Sequence, residues 1–455
     1  MSDNKPVKKR SWIQYLLYIL AALVVIGLAG FVLYRLHLQS ELRARLDAIR
    51  AAGYPVTFQE LNQWYALPEG GENAANTLLR AFGYYRQWDK TSLNELPLLG
   101  RKDLPGRTEK MDEETRTLIA QYLAENDRAL ELLHEGAAIE HCRYHVDFTA
   151  GYAISMSHLG DIRTGEKLLQ LEAALSAESG SGELAGRSIT SMFALARSLS
   201  NEPLVLSVLI RCAVQASAVS ALEYTLNRIE LSDETLAELA VTIDSAEDVS
   251  GVNCALVGER CFGIDIFRNP SAQKLGIFAP EVPVAPVVVV YQLTGLCDKD
   301  AITYLDVTKE YIEAGQLPLH QRRKAMKATS RKLDGLSKIH LLLRRLGTTV
   351  GSTVTMLDVR TIAKLRTART AVAIERYRLS NGRLPETLAE LVPAYLDAVP
   401  KDPFDGQDIR YIKRGVGFVV YSIGEDESDD GGVEKQRRRR GRGRAPCDIT
   451  FIIER

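Results

Sequence analysis

The densest set of hard oxygen donors in the chain is the run Glu425-Asp426-Glu427-Ser428-Asp429-Asp430-Gly431-Gly432. Such carboxylates suit Ca²⁺, which takes about six to eight oxygens, and the paired glycines permit sharp turns around an ion. The spacing does not fit an EF-hand loop. A solvated acidic turn is the competing reading. A basic run, Lys435 to Arg444, follows directly: six acidic residues in 425–434 meet seven basic ones in 435–444. That run could touch anionic lipid, nucleic acid or the acidic loop beside it. It holds no aromatic residue for base stacking, so nucleic acid is not favoured.

Other strings imitate sites and fall short. His141 and His145 lie four apart in HCRYH, beside Cys142 and Asp147. On a helix both imidazoles would share a face and could bind Zn²⁺, but no third ligand stands at a suitable spacing. His134-Glu135 starts an HExxH-like string without the second histidine. Gly160 to Lys167 imitates a phosphate-binding loop, yet its lysine is one place late, no Ser or Thr follows, and the pattern around it is helical. Ser271 and Lys274 make an S-x-x-K string without partner motifs. No G-x-S-x-G occurs, and no catalytic residue is assigned.

These groups sit in an ordinary composition of 455 residues, 46% hydrophobic and 25% charged. That excludes collagenous, wholly disordered and disulfide-dense chains. The 57 basic and 58 acidic residues nearly cancel, so no protein-wide field draws in nucleic acid. Six Cys are too few for a disulfide framework; Cys254 and Cys261 could pair locally in an oxidising compartment or stay as free buried thiols.

Trp12 to Tyr34 reads WIQYLLYILAALVVIGLAGFVLY, without a charge. At about 1.5 Å per residue, such a helix crosses a ~30 Å hydrocarbon core. Trp12, Tyr15 and Tyr18 at one end and Tyr34 at the other fit interfacial anchors. The stretch is longer than the apolar region of a cleaved signal peptide. Lys5, Lys8, Lys9 and Arg10 precede it more densely than the mixed charges that follow, which places the N-terminus inside. The expected layout is a cytoplasmic tail at 1–11, a transmembrane helix at 12–34, an extracytoplasmic helical domain at 35–350 and a small module at 351–455.

Beyond the span, Thr57 and Glu60 form a capping pair for a short helix, and residues 73–88 follow the helical period. Residues 89–108 read as a loop. Met111 to Leu133, Ala150 to Ala177, Glu183 to Leu199, Pro203 to Glu230 and Ser232 to Ala246 read as helices. They lack a fixed repeat, so an irregular bundle is expected rather than a solenoid. Residues 247–300, rich in Gly, Cys, Pro and Val, read as loop with a short buried segment. Helices resume at Ala301 to Gly315, Leu319 to Leu346 and Val354 to Leu379, the last closing at Asn381-Gly382. Strand composition marks Ile409 to Lys413, Gly417 to Ile423 and Ile449 to Ile453. The fold expected is mainly α with a small C-terminal α+β module and an antiparallel sheet.

The C-terminal strings AVAIERYRLSNGRLPETLAELVPAYLDAVPKDPFDGQDIRYI, GFVVYSIGEDESDDGG and CDITF resemble the globular domain of the major pseudopilin of type II secretion systems. The resemblance covers about 90 residues, Ala363 to Ile453, a fifth of the chain. It implies that the Asp-rich loop binds calcium and holds the last strands. By position Asp426 and Asp448 match best, with Asp430 as a third ligand and backbone oxygens near Ser422 and Ile423. The chain departs from that family in having no prepilin leader and some 320 residues between span and module. The resemblance therefore does not by itself carry processing or assembly into a pseudopilus over to this chain. The rest of the chain, with IRAAGYPVTFQELNQWY, resembles large single-pass membrane proteins of planctomycete-type bacteria, which implies no activity.

The function expected is extracytoplasmic binding or scaffolding on the cytoplasmic membrane, linked to secretion or envelope organisation, with an unidentified protein partner. One rival is an extracytoplasmic enzyme with convergent His, Cys or carboxylate groups in 140–300. The other is a divergent secretion-system component.

Overall fold

The computed structural model describes residues 12–67, 70–248, 251–271, 284–335, 340–434 and 448–455. The N-terminal tail, Lys274 and the basic run 435–444 lie outside the described residues.

Helix α1 (Trp12–Ala51) meets two environments. Every residue from Trp12 to Tyr34 is exposed, which leaves a bare apolar rod long enough to cross a membrane. The same helix then buries Leu38, Leu42 and Leu46, one stripe at i, i+4 spacing.

Among the described residues, thirteen α-helices follow before the module: α2 (Phe58–Trp64), α3 (Ala74–Gly83), α4 (Lys90–Glu95), α5 (Glu113–Glu125), α6 (Asp127–Ala137), α7 (Ser157–Glu178), α8 (Gly182–Arg197), α9 (Val205–Leu226), α10 (Asp233–Ala246), α11 (Gly251–Arg268), α12 (Val284–Thr294), α13 (Leu296–Gly315) and α14 (Leu319–Asp334). Helix α1 packs on α13, and Arg45 clamps Asp306 there through two bonds of 2.9 and 3.2 Å. Thr57 caps α2 as its sequence implies. The Glu60 carboxylate, however, accepts the Val56 N–H (2.8 Å) rather than that of Thr57. Helix α9 is as apolar as a membrane segment, but it is the mostly buried centre of the bundle, packed by α7 and α8.

Expectations change at several points, one being the break expected between Leu346 and Val354, which lies inside the helix Leu341–Asn381, while the helix begun at Leu319 ends at Asp334. Residues 111–133 split into α5 and α6 because Asn126 takes a non-helical conformation. Its buried amide accepts from the Arg86 N–H (2.8 Å) and donates to the Tyr122 carbonyl (3.0 Å), so the break is held by tertiary bonds. The loop expected at 89–108 contains α4, capped by Asp89. The segment 247–300 is largely helical. Helix α11 buries Val252, Leu256, Cys261, Ile264 and Phe267, and this packing overrides its weak helical composition.

The last helix, α15 (Leu341–Asn381), ends at Gly382, whose φ of 66° makes the left-handed cap. Strands β1 (Arg410–Arg414), β2 (Gly417–Ser422) and β3 (Ile449–Ile453) form an antiparallel sheet in the order β1-β2-β3. Its register sets Tyr411 opposite Val420 and Val420 opposite Phe451. Phe418, Val420, Phe451 and Ile453 point into the same core as Leu61, Leu133, Leu222 and Val372. The module and the helical bundle thus share one core.

The free edge of β3 is covered by helix α9. The Asn227 amide donates to the Ile452 carbonyl and accepts the Glu454 N–H, both at 2.8 Å, while Glu223 accepts the Ile452 N–H at 3.3 Å. These side chains stand in for a fourth strand and block edge-to-edge pairing.

Candidate functional site

The acidic loop and the turn beneath it are the most highly charged structured part of the module. At its base Asp402 is 1% exposed. Its two oxygens accept four hydrogen bonds: from Phe404 N–H (3.0 Å), Ser422 Oγ (2.8 Å), Ile423 N–H (2.9 Å) and Arg410 Nη1 (2.8 Å). A buried carboxylate is tolerated when its lone pairs are filled and a cation stands beside it. Asp402 therefore ties the turn after Pro400 to the end of β2.

Above it, most of the acidic run is paired. Glu425 meets Arg360 of α15 (3.1 Å), Glu427 meets Arg323 of α14 (2.5 Å), Asp429 meets Arg410 of β1 (3.4 Å) and Glu434 meets Arg107 (2.6 Å). Four of the six acidic side chains thus take their counter-charge from arginines of the body. Each exposed pair is worth about 0–1 kcal/mol, but together they fix the loop against four different segments.

The expected metal ligands divide. Asp430 and Asp448 come together: the Asp448 carboxylate accepts the Gly432 N–H at 2.7 Å and the Asp430 N–H at 3.4 Å. Burial raises the Asp448 carboxyl above its ordinary range. Asp430 Oδ2 is buried and has no hydrogen-bond partner among the described residues. Asp426 is exposed and accepts the Ser428 N–H of its own turn (3.2 Å). Among the described residues no group of three or more His, Cys, Asp or Glu converges as metal ligands. The donor set is thus two carboxylates, and backbone carbonyls would have to complete the sphere. The pseudopilin resemblance predicts that calcium raises the melting temperature of the full chain by several degrees over chelator, and that Asp448→Asn removes the rise. Identical melts with and without calcium would exclude the site.

The helical region brings together side chains far apart in sequence. His134 Nδ1 lies 2.8 Å from Ser191 Oγ, and its Nε2 lies 2.9 Å from Glu172 Oε2. Ser188 Oγ donates to the same Glu172 oxygen at 2.6 Å. A second buried set joins His158 Nε2 to both Glu202 oxygens (3.0 and 3.1 Å), with Tyr144 stacked on the imidazole at 4.5 Å. Ser191–His134–Glu172 has the order of a nucleophile, base and orienting carboxylate. Ser191 is only 4% exposed, however, and the cavity beside it measures about 10 Å³. That volume admits one water and no substrate. The geometry is that of satisfied buried polar networks joining α6, α7 and α8.

His141 and His145 lie in a non-helical segment and do not share a helical face. Tyr144, Val146 and Phe148 alternate inward there, and His145 and Asp147 point out. Cys254 and Cys261 are unpaired, and both are seated on α11. Sequence reasoning missed Glu172, Ser191 and Glu202, because their partners are 38 to 57 residues away and no local motif links them.

No family model, curated protein or solved structure matches the chain.

Proposed function

We propose that this chain is a single-pass protein of the cytoplasmic membrane, with its N-terminus inside, whose body is an extracytoplasmic binding and scaffolding platform. The observation that carries the reading is the continuity of α1: an exposed apolar rod from Trp12 to Tyr34 becomes, without a break, a packed element of the body at Leu38. Lipid is the solvent that such a rod requires. An unbroken helix also holds the body at a fixed height above the bilayer.

A second contact supports that height. Arg35, at the end of the apolar rod, pairs with Asp298 (3.3 Å) and donates to the Gln292 carbonyl of α12 (3.0 Å). Helix α12 carries exposed Val289, Val290 and Leu293 on one face, next to the level at which α1 leaves the apolar phase. An apolar face pinned there suits the interface.

The pseudopilin-like module acts as a built-in part of the platform rather than as a fibre subunit. In support, its long helix α15 is packed by α9, α10 and α14, and the edge of β3 is closed by Asn227. Alkaline washing of membranes tests the anchor. The chain is expected to stay in the pellet, and release into the supernatant would contradict an uncleaved span.

A further inference from the structure

A polar cleft of about 330 Å³ opens between α7, α9 and α15. Arg163, Glu166, Lys167 and Gln170 of α7 line one wall, Ser217 of α9 the other, and Lys364 of α15 closes the end. Its size is that of a small-ligand site. Its charges do not balance: three cations face one carboxylate.

The single carboxylate is already engaged. Glu166, 1% exposed, is in ionic contact with Arg163 and lies beside the Ser217 hydroxyl. Lys167 and Lys364 have no hydrogen-bond or ion-pair partner among the described residues. Lys364 is half-buried, and burial first, then neighbouring Arg360, pulls its ammonium below the ordinary lysine range. Gln170, 8% exposed as a residue, lines the cleft, and its amide makes no hydrogen bond to another described residue.

A negatively charged ligand complements this lining. We propose that the cleft binds a compact oxyanion, a phosphate or a carboxylate-bearing small molecule, held between Lys167 and Lys364 with the Gln170 amide donating to it. Lysine is a point-charge binder, and donors from two helices define a pocket rather than a surface patch. This inference is independent of the membrane reading, because the cleft is formed wholly by the helical body and α15.

Thermal melts of the full chain in neutral detergent test it, with inorganic phosphate and citrate as separate probes and sodium chloride at matched ionic strength as control. At least one probe is expected to raise the melting temperature saturably beyond chloride. Phosphate alone identifies a phosphate site, and citrate alone a carboxylate site. Lys364→Met and Lys167→Met should each weaken apparent affinity at least tenfold. Lys309→Met, at an exposed position of α13, should leave it unchanged. Methionine keeps the length of the side chain and removes a poorly paired charge, so folding should survive. If Lys364→Met does not fold, Lys167→Met decides. No saturable rise with either probe, or full affinity in the folded lysine variants, would overturn the proposal.

Discussion

Asp402→Ala is expected to destabilise the folded chain by about 3–5 kcal/mol, the range for breaking a buried, fully bonded charge pair. The change strands three donors at once: the Phe404 and Ile423 N–H groups and the Ser422 hydroxyl. It also frees Arg410, which keeps only Asp405 (2.5 Å) and Asp429 (3.4 Å) as counter-charges. Because β2 lies in the core shared with the helices, the loss should spread beyond the module. Denaturant unfolding of the full chain, followed by far-ultraviolet circular dichroism, reads it. A midpoint close to that of the parent chain would mean that the four bonds contribute little. Asp402→Asn is expected to fall in between, since its amide NH₂ offers a donor where the site supplies only donors.

The second large effect concerns the rod. Leu23→Arg with Ile26→Arg places two charges near the middle of the apolar stretch, at residues 60% and 67% exposed. In water such exposed substitutions change stability by about 0.5 kcal/mol or less. At the centre of a bilayer each arginine costs about 2.5–3.5 kcal/mol on the insertion scale, so the pair costs about 6. The variant is therefore expected to leave the alkali-washed membrane fraction while its body stays folded. Retention in the membrane at parental levels would show that something other than this helix holds the protein there.

Much of this architecture is legible in the sequence, for physical reasons. The charge-free run from Trp12, the Thr57 cap, the Ser232 cap and the Gly382 terminus each depend on local chemistry, and each stands where that chemistry puts it. The three strands follow from β-branched and aromatic alternation. Features set by distant contacts are not legible. The break at Asn126 depends on Arg86, forty residues earlier. Helix α11 reads as loop until its apolar face finds α13. Asp402 reads as a turn residue, and its role appears only when Ser422 and Ile423 are folded onto it. The acidic loop was visible as a charge run, but the arginines that pair with it come from positions 107, 323, 360 and 410. The near-zero net charge of −1 hides this local matching of charge.

In the proposed arrangement the body lies outside the cytoplasm on an uncleaved N-terminal anchor. Val241, 71% exposed on α10, is a site where a cysteine can be added without disturbing the core. In intact spheroplasts carrying the full chain with Val241→Cys, a membrane-impermeant maleimide should label the protein in the membrane fraction above the parent chain, with no further gain after lysis. Labelling that appears only after lysis, or a labelled product found in the soluble fraction, would contradict the account.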